Sequence, residues 1–109
     1  MIYKMVHRNT IFKQVRNVVH SFDPQARIIL FGSRARGDHR QDSDWDFMVL
    51  TEKEFDWKQE SDFRNKVYYD IELKTDAVIY ATIENQKNWE IYKNADPFYI
   101  NIAKEGVEI

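Results

Sequence analysis

Apolar positions recur at spacings of four, three and four through Ile11, Val15, Val18 and Phe22, with Phe12 and Val19 widening the stripe. That period places them on one face of a helix running to about His20, with Asn9 or Thr10 as its cap and Met1 to His7 as a short lead-in. Asp23-Pro24 stops the helix. The run Arg27 to Phe31 then predicts a buried strand ended by Gly32. Ser33 is placed to cap a short helix through Arg36, closed by Gly37. Asp38 to Ser43 is a polar loop, and Asp46 to Leu50 a second strand.

Thr51 with Glu54 fits a capping box, and Phe63, Val67 and Ile71, four apart, predict a helix from about Phe55 to Leu73. A third strand is expected over Asp76 to Tyr80, opening on a carboxylate. Glu84 to Tyr92 reads as a helix or an ordered loop. Pro97 begins a helix through Lys104, Gly106 caps it, and Val107 to Ile109 offers a short edge strand. Strands alternating with helices, without an internal repeat or a linker, give one α/β (α+β) domain over 1–109. Its expected form is a small, mixed, twisted sheet backed by helices.

Composition narrows this picture by exclusion. Apolar residues make up 43% and charged residues 31% of 109 positions, which is enough for an ordered core. Net charge is -2 and arginines gather only at 34, 36 and 40, so no dedicated nucleic-acid surface is expected. The absence of cysteine excludes disulfides and thiolate metal sites. His7, His20 and His39 lack the spacing of a zinc site. With no export signal and no apolar run near the roughly 18 residues of a membrane span, a cytoplasmic protein is expected.

The chemistry concentrates in Ala26 to Leu50, ARIILFGSRARGDHRQDSDWDFMVL. Asp44 and Asp46, one residue apart at a strand start, point to the same face and can share a divalent cation. Asp76, at the start of the expected third strand, would add a third carboxylate and is the candidate general base. Three crowded carboxylates imply cations, and magnesium, with two ions, suits a site whose remaining ligands are substrate phosphates. Gly32 lets the backbone approach a phosphate, Ser33 offers an amide and a hydroxyl, and Arg34 or Arg36 can neutralise phosphate charge. Singly, each feature is an ordinary turn, strand end or surface residue. Together and in this order they point to a nucleoside triphosphate. The Walker loop and the dinucleotide fingerprint are both absent.

Gly32-Ser33, ten residues, then Asp44-Trp45-Asp46 resembles the signature of the polymerase-beta nucleotidyltransferase superfamily. The likeness is to the minimal nucleotidyltransferases of bacteria and archaea. It extends through Asp76 and the tail Pro97-Phe98-Tyr99-x-Asn101-Ile102-x-x-Glu105-Gly106-Val107. The resemblance implies that Gly32 and Ser33 hold the triphosphate, that Asp44 and Asp46 bind magnesium, and that Asp76 completes a carboxylate triad. It further implies transfer of AMP from ATP to a tyrosine of a HEPN-domain ribonuclease toxin, with this chain as the antitoxin. Two alternatives accompany it. One is neutralisation by binding and occlusion. The other is transfer to a small molecule such as an aminoglycoside, for which a homo-oligomer would have to build the pocket.

Overall fold

The computed structural model describes residues 8–109, so the lead-in expected over 1–7 lies outside the described residues. Helix α1 (Arg8–Phe22) buries Ile11, Val15, Val18 and Val19, as the periodicity requires. Asn9 and Thr10 lie inside it and do not cap it. At its end Asp23 is buried, where its carboxylate accepts the Gln25 amide (3.0 Å) and the Thr51 hydroxyl (2.5 Å). Burial alone would push this carboxyl up. The bonds from Thr51 and Gln25, with the charges of Lys53 and His20, hold it below its ordinary value.

Strand β1 (Arg27–Phe31) runs into helix α2 (Ser33–Arg36), and strand β2 (Trp45–Thr51) returns antiparallel to β1. Thr51 ends β2 and its hydroxyl is spent on Asp23 and on the Lys53 amide, so the capping box expected at Thr51 and Glu54 does not form. Asp56 and Gln59 form one instead: Asp56 Oδ1 accepts the Gln59 amide at 2.8 Å, and Gln59 Oε1 accepts the Asp56 amide at 3.0 Å. Helix α3 (Trp57–Val67) follows, widens into a π-helical stretch (Tyr68–Glu72), and ends in the turn α4 (Leu73–Thr75).

Strand β3 is Ile79–Asn85, three residues later than the sequence suggests. The backbone just before it is committed locally. The Asp76 amide donates to the Glu72 carbonyl (3.1 Å) and the Ala77 amide to the Thr75 hydroxyl (3.2 Å), while the Ile79 amide donates to the Glu72 carboxylate (3.1 Å). Such side-chain partners compete with ladder pairing. Asp76 therefore closes a helix in the left-handed region, at φ 58, and does not open a strand.

Helix α5 (Gln86–Tyr92) is capped by Asn85, and helix α6 (Pro97–Glu105) by Asp96 with proline in its first turn. Gly106 ends α6 in extended backbone, where a Cβ would collide with the Ile102 carbonyl and with Ile29. That close approach lets strand β4 (Val107–Glu108) pair with β1. The sheet order is β3-β2-β1-β4, with β2 and β3 parallel and the other pairs antiparallel.

Alternation along β1 and β2 divides the core between two faces. Ile28, Leu30, Trp45, Phe47 and Val49 pack with residues of α1, α3 and the π-helical stretch. Ile29, Met48 and Leu50 pack with Trp89 of α5 and Ile102 of α6. Among the described residues, no helix is long and apolar enough to cross a membrane.

Candidate active site

The register sets Phe31 of β1 opposite Asp46 of β2, so the turn leaving β1 sits against that carboxylate. Gly32 adopts φ 75 and ψ -160, and a Cβ there would strike Asp46 Oδ2. Only glycine holds this backbone so close to the acid. Gly32 is the N-cap residue of α2, its carbonyl accepting the Ala35 and Arg36 amides at 3.0 and 3.1 Å. Ser33 is thus the first helical residue, not the cap, and the leading amides of α2 lie where a helix has no internal partner for them. Gly37, at φ 85, closes the turn as the sequence suggests.

Asp44 is exposed just ahead of β2 and Asp46 is half-buried within it. Burial pushes the Asp46 carboxyl above its ordinary value, and the Asp44 charge adds to this, while Arg36 works against it. This pair of hard oxygen donors, kept close despite mutual repulsion, fits a divalent cation.

The two arginines of α2 serve different ends. Arg34 lies over the Trp45 ring, 4.1 Å from its centroid. It donates to the carbonyls of Ser43 (2.9 and 3.0 Å) and Gln41 (3.0 Å), and burial lowers its pKa. Trp45 belongs to the face packed on α1, and Asp46 to the other. The guanidinium of Arg34 is therefore occupied in pinning the 38–44 loop. Arg36 is the arginine coupled to Asp46. It pairs with Asp38 (3.2 Å) and with Glu105 at the end of α6 (3.1 Å), and these partners raise its pKa.

Asp76 is not brought to this pair. It lies in the turn before β3, and among the described residues no group of three or more His, Asp or Glu side chains gathers in metal-holding geometry. On β3 the residue level with Asp46 is Tyr80, which is 61% exposed. Tyr80 and Glu105 are the residues of this site that the sequence reading passed over. Placing β3 correctly would have set Tyr80 beside Asp46, whereas nothing local links Glu105 to Arg36.

A glycine turn at a strand end, a short helix, and Asp-x-Asp on the antiparallel neighbour define a nucleotidyl-transfer fold. The chain belongs to the family described as Polymerase beta, Nucleotidyltransferase, whose model matches residues 13–102, and it is a nucleotidyltransferase. It is 35% identical over 74 residues to a "putative protein adenylyltransferase" of Methanocaldococcus jannaschii, the match covering 62% of this chain and 68% of the relative. Two crystal structures share the fold. One, of a toxin-antitoxin with AMP-PNP, has TM-score 0.59 and 16% identity, covering 88% of this chain and 69% of the other. The second, of a toxin-antitoxin MntA-HpeT mutant, has TM-score 0.57 and 18% identity, covering 96% and 72%.

Proposed function

We propose that this chain transfers AMP from ATP to a hydroxyl of a partner protein, acting in the cytoplasm as antitoxin to a HEPN-type ribonuclease. The observation that carries the reading is the contact between the Gly32 turn and Asp46, which sets the backbone that would hold phosphate against the carboxylate that would hold metal. Asp44 and Asp46 would hold magnesium; for Asp76 to serve as the third carboxylate and general base, the turn before β3 would have to bring it to them. Bound magnesium supplies charge neutralisation for the triphosphate and for the pyrophosphate that leaves. The leading amides of α2 and the Ser33 hydroxyl take the outer phosphates. Arg36, already beside Asp46, exchanges Asp38 or Glu105 for phosphate oxygens. Arg34 acts at one remove, by fixing the loop that ends at Asp44. The names of the relatives, an adenylyltransferase and toxin-antitoxin complexes, support the choice of AMP and of a toxin as acceptor.

One observation favours a second reading, in which the chain neutralises its partner by occlusion. Asp76 stands apart from the pair, so a third carboxylate is not assembled. Incubation with labelled ATP, magnesium and the product of the neighbouring gene separates the two. Label on the partner that vanishes with Asp44→Ala plus Asp46→Ala supports transfer. A partner that is neutralised yet unlabelled sinks it. Asp76→Asn then tests the base: a rate loss of about 10²-fold or more places Asp76 in the chemistry.

A further inference from the structure

Resting on the transfer reading, we propose that the chain also modifies itself, with the Tyr80 hydroxyl as nucleotidyl acceptor. Asp46 has two lateral neighbours in the sheet, Phe31 on β1 and Tyr80 on β3. Residues level with one another on adjacent strands share a face, and their strands lie about 4.8 Å apart. The turn into α2 leaves from the β1 side, so the outer phosphates extend that way. Displacement at phosphorus is in line, with the nucleophile entering opposite the leaving pyrophosphate. That direction is the β3 side, and the side chain standing there is an exposed phenol.

No other tyrosine of the described residues shares this position. Tyr68 and Tyr69 are exposed but belong to the π-helical stretch, whose buried Ile71 packs into the core on the opposite face of the sheet. Tyr92, at the end of α5, has its ring stacked on Tyr99, 5.5 Å between centroids, and does not lie beside Asp46 on an adjacent strand. The Tyr99 hydroxyl donates to Glu84 at 2.6 Å, which with burial pushes its pKa up to about 12. Val78, which precedes Tyr80 on the same face by alternation, carries no hydroxyl.

In the step, Tyr80 Oη forms a bond to the α-phosphorus of the nucleoside triphosphate. The bond from that phosphorus to the oxygen bridging to the β-phosphorus breaks. Pyrophosphate leaves with the electron pair, and the phenolic proton passes to water. Tyr80 ends as a phosphodiester, placing a nucleotide over the site and closing it to a second substrate.

The test uses the purified chain with ATP and magnesium and no partner, followed by intact mass and peptide mapping, with ATP binding measured in parallel by calorimetry. A gain of about 330 Da (one AMP) mapped to Tyr80 is expected. It should be lost in Tyr80→Phe while that variant still binds ATP like the wild type, and lost in Asp44→Ala plus Asp46→Ala. Wild type that binds ATP without gaining mass overturns the proposal and leaves the transfer reading standing. So does label on another tyrosine, or label retained in Tyr80→Phe. Wild type that binds no ATP overturns both, and the calorimetry tells these failures apart.

Discussion

The two faces of the sheet divide stability from chemistry, and neighbouring residues of β2 show where the division falls. Trp45 and Phe47 turn toward α1 and α3, where Phe12 meets both rings edge-on at 6.2 and 6.3 Å. Asp46, between them, turns to the other face. There α5 and α6 close over Ile29, Met48 and Leu50, but Tyr80 and Phe98 stay 61% and 54% exposed. The first face is bound mainly by burial, with the Asp23–Thr51 hydrogen bond and Arg34 over Trp45 at its edges. The second keeps one end open and holds two carboxylates there, one of which, Asp46, is pushed above its ordinary pKa by burial and by the charge of the other.

The largest effect that tests this division comes from Phe47→Ala. It should cost about 3–5 kcal/mol in denaturant unfolding, while ATP affinity of the folded protein is retained. Asp46→Asn should do the reverse, abolishing ATP binding with no loss of melting temperature in the absence of metal and nucleotide. Equal destabilisation by both substitutions would erase the distinction between the faces. Gly32→Ala bridges them: its backbone strain should cost about 1–3 kcal/mol, and displacement of Asp46 should weaken ATP binding as well. A smaller effect separates the arginines. Arg34→Ala should lower stability by about 0.5–2 kcal/mol through loss of its place on Trp45. Arg36→Ala should leave the melting temperature unchanged and weaken ATP binding, because its ion pairs are exposed.

The smallest effect is on pH dependence. Because the folded pKa of Asp23 lies below its ordinary 3.8, its contribution is complete above that value and fades as pH falls through the folded pKa. Thr51→Val should therefore cost more stability near neutral pH than at about pH 2, as read by urea unfolding at each pH. A cost independent of pH would show that the Thr51 hydroxyl does not act on the charged carboxylate.

What was legible in the sequence follows the same lines. β1, β2, the Gly37 closure and the proline-led α6 rest on short-range signals, namely an apolar run, a left-handed glycine and a proline in the first turn of a helix. Gly32 and Asp46, both singled out in the sequence, are brought together by the antiparallel pairing of consecutive strands β1 and β2, the simplest pairing an apolar run, a turn and a second run allow. β3 was misplaced because its start depends on Glu72, whose carboxylate caps Ile79 from the end of a π-widened helix that no apolar period announces. Asp76 was carried with it, and Tyr80 was overlooked for the same reason. Thr51 looked like a cap because its real partner, Asp23, lies 28 positions away in the sequence.

The hold of Arg34 on the 38–44 loop also bears on the thermodynamics of substrate capture. With the carbonyls of Gln41 and Ser43 anchored, the ordering of that loop is met when the chain folds and not when ATP arrives. Preorganisation of this kind lowers the entropic cost of association without adding a contact to the ligand. The enthalpy of ATP binding should therefore survive Arg34→Ala better than the affinity does, since the side chain acts on the loop's freedom and not on the phosphates.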